Sequence, residues 1–360
     1  MSSTDLFRPK WKHRDRRVRR KAVTVLTDQA VLAAIARNDS DAMVRRLAVE
    51  KLRGPALLAR IAKSDSDWFV RGTAVEKIRD QALLALIAKS DSDMRVRIKA
   101  VSNLHHQAVL LDLAKNDAEA PVRKAAVENL TDEAGLVSIA KTEMDEGVRR
   151  AVPVEKISNQ ALLADLAANA RDTELREKAV EKLVDQAALV ELAGNQSNPS
   201  GVRWRAVERI SDQRLLADLA KHDNEHSVRI SATERLRFTD QRTLVDIACG
   251  GRYGERVSDS NCEQVYFLKD AAYVAIEWID NQGLLREIAT TAIDPQARAA
   301  AVNKLTHQVA LAAIAKNDSD PVVRSAAIRN LTNRVALVEV ARADAVEWVR
   351  RVALEKLGGG

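Results

Sequence analysis

Apolar residues recur along this chain in two helical stripes per repeat. Val44, Val70, Val96, Val122 and Val148 stand 26 apart, and an arginine follows each: Arg45, Arg71, Arg97, Arg123 and Arg149. Within residues 65–90, Val70, Ala74, Val75 and Ile78 fall at i, i+4, i+5 and i+8, one face of a helix. Asp65 and Asp67 precede that helix, where carboxylates accept orphan N–H groups and favour the positive dipole end. Asp80-Gln81 then reads as the N-cap and first turn of a second helix, with Leu83, Leu84, Ile87 and Ala88 as its stripe. Glu76-Lys77 falls off the stripe, and with Glu50-Lys51, Glu155-Lys156 and Glu181-Lys182 it reads as a solvated mixed-charge face. A fixed period in this range is the signature of stacked repeats. Each two-helix unit buries its apolar face only on its neighbours. The pattern therefore predicts an all-α, elongated body with no single central core.

A turn aspartate precedes the helix arginine by six positions in unit after unit: Asp39/Arg45, Asp65/Arg71, Asp91/Arg97, Asp117/Arg123, Asp223/Arg229, Asp318/Arg324 and Asp344/Arg350. On these residues the chain resembles the HEAT-like repeat family, over residues 13–357. The resemblance implies a right-handed α-solenoid of about 12 helical hairpins with a ~26-residue period. It also implies that these Asp and Arg residues form a ladder of hydrogen bonds between neighbouring units. The helix bearing Val-Arg would line the concave face. The units are shorter than is typical of the family. A residue present in almost every repeat beside a matching aspartate stitches units together more readily than it forms a basic binding stripe.

Departures from the repeat carry the individuality of the chain. Pro153 lengthens one interval, Val127 to Val154, to 27 residues and predicts a bulge or bend that changes the curvature, against tolerated drift. Residues 194–201 read as a looser, exposed turn. The largest departure is an insertion at 249–267: Thr233 and Ile276 occupy equivalent positions but stand 43 apart. Ala272 takes the ladder arginine's place after it. Seven of the chain's 12 aromatics fall between 204 and 278, all three tyrosines among them. Aromatics are enriched at binding hot spots, and long loops in compact repeats are usually functional. One reading makes Trp204, Ile230, Tyr253, Tyr266, Tyr273 and Trp278 a partner-binding patch on the concave side. The other folds the loop back so that its aromatics fill the gap it creates.

Charge adds a second region. Residues 1–60 hold 15 Lys/Arg against 6 Asp/Glu, so the net +6 of the chain belongs to this end. Residues 1–21 read as a basic N-terminal cap in which Phe7 and Trp11 cover the first repeat. Arg8, Lys10, Lys12, Arg14, Arg16, Arg17 and Arg20 are also candidates for contact with an anion or nucleic acid, since basic residues interleaved with aromatics suit phosphates and stacked bases. Residues 358–360 read as a flexible Gly tail.

Chemistry is sparse. Cys249 and Cys262 read as free thiols, and His222 with His226 completes a four-ligand zinc set with them only across a whole repeat. His105, His106 and His307 stand at turn positions as cap variants. There is no nucleophile elbow, phosphate loop or zinc-protease motif, and Gly250, Gly251 and Gly254 follow no strand. No metal and no cofactor is expected. No apolar run reaches the ~18 residues of a membrane span, and no apolar leader opens the chain. The reading is a cytoplasmic, bacterial, monomeric, non-enzymatic scaffold with a protein partner. A nucleic-acid binder using the basic end is the alternative. A lyase or DNA-repair enzyme, such as occur in the HEAT-like family, is the weaker one, since no residues here match either active site.

Overall fold

The computed structural model describes residues 9–236, 241–250, 256–258, 265–267 and 271–358. These residues form 25 α-helices, most of ten residues, which alternate between two kinds. The ladder helices carry Val-Arg, as in Ala42–Lys51, Trp68–Val75 and Met94–Ser102. The linking helices follow them, as in Pro55–Ser64, Gln81–Ser90 and Gln107–Asn116. In most units the ladder helix packs on the next ladder helix and on the linking helix that precedes it. Two compact units are distinguished, Met1–Ala179 and Val180–Gly360. The architecture is all-helical repeat packing.

The capping chemistry follows the sequence. Asp67 accepts from the N–H groups of Phe69 and Val70, and Asp80 from those of Ala82 and Leu83. Each such cap contributes about 1 kcal/mol. Val70, Ala74 and Val75 are completely buried on one side of the unit, and Leu84 and Ala88 on the other. Leu83 is only half-buried, so the linking helix turns Leu84, Ile87 and Ala88 inward. His307 caps its helix through Nδ1, while His106 holds the N-cap position without a side-chain bond.

Three departures resolve differently from expectation. Pro153 ends its helix where a bend was expected. The ladder helix Glu146–Arg150 stops after five residues, because Pro153 has no N–H to return to the turn before it. Pro153 (φ −81°, ψ 84°) then lies near the inverse γ-turn, with Val154 N–H on Val152 O at 3.0 Å. The 194–201 segment is not wholly exposed: Asn198 is buried and donates to Leu192 O at 2.9 Å. Between Gly250 and Ala271, Arg256–Ser258 pairs antiparallel with Val265–Phe267, a small hairpin that helical periodicity did not foretell. Gly358 ends the last helix, so it does not belong to a tail.

Candidate interaction surfaces

Most of the recurring polar residues are spent on holding the repeats together. Arg45 directs Nε and Nη2 at the two carboxylate oxygens of Asp65, 20 residues ahead, at 2.8 and 2.7 Å. Its Nη1 reaches back to the carbonyl of Asp39, in its own unit, at 3.0 Å. Asp65 in turn accepts the N–H of Asp67. The aspartate six positions before each arginine thus contributes its backbone, and the carboxylate comes from the next unit. The same fork joins Arg71 to Asp91, Arg97 to Asp117, Arg298 to Asp318 and Arg324 to Asp344, all at 2.7–3.0 Å. Arg19 pairs with Asp39, Arg123 with Glu143 and Arg203 with Asp223 in the same way. Such bidentate, charge-assisted bonds are the strong class. They raise the pKa of Arg45, Arg71 and Arg324 above the ordinary value, and the hydrogen bond from Arg324 lowers that of Asp344.

Two further columns escaped the sequence reading. The lysines assigned to a solvated face donate instead to the carbonyl ends of the preceding ladder helix. Lys77 reaches Val49 O, Glu50 O and Leu52 O, and Lys156 reaches Glu128 O and Leu130 O; Lys304, outside that set, likewise reaches Ile276 O and Glu277 O. Burial pulls the Lys77 pKa down. The opening glutamine of the linking helix clips the following turn: Gln81 accepts from His105 N–H and donates to Asn103 O, and Gln308 does the same with Thr332 and Asn330. The signal was present as a recurrent Gln after the turn Asp, Asn or His. Side-chain type alone does not separate a clip from a solvated residue.

Against this stitched background, the individual side chains stand out. Trp204, Ile230 and Tyr273 each sit at one register position of three successive ladder helices, Ser200–Val207, His226–Arg235 and Ala271–Glu277. These helices pack one on the next, and all three side chains are half-buried. Arg205 lies over the Trp204 ring at 5.6 Å and pairs with Glu181. A groove of about 390 Å³ adjoins Tyr273, with Ala299 and Ala300 beside Glu277 and Lys304. Trp278 is also half-buried, but it stands in the lysine column at the helix end, outside that row. Ala272, in the ladder arginine's place, is fully buried. Tyr253 lies outside the described residues, as does Cys262, and of Tyr266 only its strand is described. Cys249 Sγ is 3.5 Å from Thr291 Oγ1.

No family model and no curated protein matches the chain. Among solved structures, it is similar to the S. pombe condensin Cnd3–Cnd2 subcomplex, at 15% identity and TM-score 0.33, over 95% of this chain and 64% of that one. It is also similar to YibA of E. coli, at 18% identity and TM-score 0.23, over 82% and 98% of the two chains. A third likeness is to the karyopherin Kap121p bound to Nup53p, at 12% identity and TM-score 0.29, over 95% and 47%. The chain thus spans less than two thirds of the condensin and karyopherin chains it matches. Likenesses this low carry no argument about function.

At the N-terminal end, the structure divides the basic residues. Arg20 forks onto Asp41 at 2.9–3.2 Å, and Arg16 approaches the same carboxylate at 3.5 Å. Both are thereby engaged inside the fold. Lys10, Lys12, Arg14 and Arg17 are exposed and make no ion pair among the described residues, and Arg8 lies outside them. The turn Lys10–Lys12 with His13 and Arg14 takes the position that a linking-helix end holds elsewhere: Arg19 Nη1 donates to His13 O and Arg14 O as Arg71 Nη1 does to Asp65 O and Ser66 O. The sequence reading also passed over a stacked pair, Trp68 and Phe69, with ring centroids 5.2 Å apart. Arg95 covers the Trp68 ring at 3.6 Å and Arg46 the Phe69 ring at 4.5 Å. These cations already pair with Asp93 and Glu50.

No described helix is long and apolar enough to cross a membrane.

Proposed function

We propose that the chain is a non-enzymatic protein-binding scaffold whose partner docks along the row Trp204, Ile230 and Tyr273 and into the adjoining groove. The observation that carries this reading is that row. The Arg, Lys and Gln columns are committed to neighbouring units, whereas one register position of three packed ladder helices offers half-exposed aromatic and aliphatic surface. Aromatic side chains of this kind supply most of the energy of protein interfaces. The alanines at 299 and 300 leave the groove's floor low enough for a large partner side chain. The proposed patch also takes in Tyr253 and Tyr266 of the insertion and Trp278, and it would lie on the concave side.

The test is an affinity capture from lysate after nuclease treatment, comparing the native chain with Trp204→Ala/Tyr273→Ala. A discrete protein retained by the native chain and lost from the variant, with the melting temperature held within a few degrees, supports the reading. Identical retained sets from both chains would overturn it. A collapse of the variant's stability would assign these side chains to the core.

A further inference from the structure

The acids of the basic end are used up inside the fold. Residues 1–60 contain six: Asp5, Asp15, Asp28, Asp39, Asp41 and Glu50. Asp5 lies outside the described residues. Asp15 accepts from Arg17 N–H and Asp28 from the N–H groups of Ala30 and Val31, both as helix caps. Asp39 is the acceptor of Arg19, Asp41 that of Arg16 and Arg20, and Glu50 that of Arg46. Asp15 and Asp28 stay exposed as caps, but the rest of the exposed charge on residues 10–21 is cationic. Lys10, Lys12, Arg14, Arg17 and Lys21 are all exposed, and none has an ion pair among the described residues. Arg17 and Lys21 stand one helical turn apart, about 6 Å along the axis, with Arg14 just before that helix. Trp11 is half-exposed, with Lys12 Nζ 4.6 Å from its ring centroid. Trp11, Lys12 and His13 line an open groove of about 560 Å³ together with Asn38, Ser40 and the Arg19–Asp39 pair.

We propose that this face binds the phosphate backbone of a single-stranded nucleic acid, with Trp11 offering a stacking surface to a base. Its charges are flexible and unpaired, and they follow one another along a strip, which matches a repeating monoanion better than a few fixed carboxylates. Among the described residues of the strip an acidic peptide would find a single aromatic anchor, Trp11. Among the described residues of this helix a bilayer would find little apolar surface beyond the exposed Val25, because Ala22 and Val23 are buried in the repeat stack. Neutralising the strip releases condensed counterions, so binding must weaken steeply with salt.

The experiment is fluorescence anisotropy of a labelled 16-nucleotide oligo-dT on the full chain, from about 50 to 200 mM KCl. Five engaged phosphates on a single strand give a slope of log K on log salt near −3.5, roughly a hundredfold loss over that range. The variant Lys10→Gln/Lys12→Gln/Arg14→Gln/Arg17→Gln/Lys21→Gln removes only exposed side chains and is expected to flatten that slope and abolish most of the affinity at low salt. Trp11→Ala is expected to weaken oligo-dT about tenfold while leaving a 16-base-pair duplex nearly unchanged. Equal affinity of the five-site variant, or a slope near zero for the native chain, would overturn the proposal. So would displacement of oligo-dT by polyglutamate at equal charge concentration, which would assign the face to an acidic polypeptide.

Discussion

Two seams in the first unit differ by one side chain. At the Arg71 seam, the fork meets Asp91 at 2.8 Å on both arms while Nη1 holds Asp65 O. At the Arg149 seam, Nη1 holds Glu143 O and Met144 O in the same manner, but the next unit offers Ala170 where the acid should be. Arg149 Nε is left buried without an acceptor. Pro153 has also cut the ladder helix there to Glu146–Arg150. The arginine survives where its carboxylate does not, so carbonyl anchoring within the unit and the carboxylate bond between units are separable. One seam of the repeat stack is individually weakened without loss of register, because Arg150 meets Asp172 across it at 3.6 Å and Arg171 donates to Lys141 O at 3.0 Å.

Acid should weaken the carboxylate rungs at Glu143 and Asp344, and it has the largest expected effect. Asp344 titrates below its usual 3.8, chiefly through the hydrogen bond from Arg324. Burial pushes Glu143 up, yet Arg123 and the backbone N–H groups hold it below 4.5. Groups with depressed folded pKa values stabilise fully above the unfolded value and lose that contribution as pH falls through the folded one. Stability should therefore be flat down to about pH 4.5 and fall steeply below 3.8, as measured by thermal melts across pH. A melt insensitive to pH between 5 and 3 would dismiss the carboxylate rungs as a source of stability.

Arg71→Ala comes next. It strands the buried Asp91 carboxylate and should cost about 3 kcal/mol in urea unfolding, whereas Arg149→Ala should cost about 1 kcal/mol or less. Equal costs would mean that the carbonyl anchor matters and the carboxylate does not. Ala170→Asp should run the comparison backwards, supplying the missing acceptor and gaining about 1 kcal/mol, with slower amide exchange across 144–172. The smallest effect concerns the lysine column: Lys77→Met should lose about 1 kcal/mol or less, since three carbonyls lose a donor but stay within reach of water.

Much of this was legible in the sequence where the pattern was periodic and apolar. The Val-Arg stripe, the Asp caps and the place of the Arg ladder follow from spacing, because burial and capping act within a single turn of helix. The break at Pro153 was legible as a break, but its outcome as a terminated helix depended on what the next residues could bond to. The lysine and glutamine columns were not legible. A lysine that caps a helix 27 residues behind it and a lysine in solvent have the same composition and the same place off the stripe. Trp204, Ile230 and Tyr273 were legible as departures, and their common row came from register. Trp278 falls in a different column once its helix is seen to end at Glu277.

By itself the sequence determined the repeat, its two-helix unit and which side chains face inward, since those depend on periodicity and on contacts a few residues apart. Only the tertiary structure decided which polar groups are satisfied and which remain outside. That depends on whether a carboxylate or carbonyl some 20–28 residues away arrives within hydrogen-bond reach, and no local pattern encodes that distance. The same accounting that spends Asp39, Asp41 and Glu50 on Arg19, Arg20 and Arg46 leaves Lys10 to Lys21 facing solvent as an unneutralised strip.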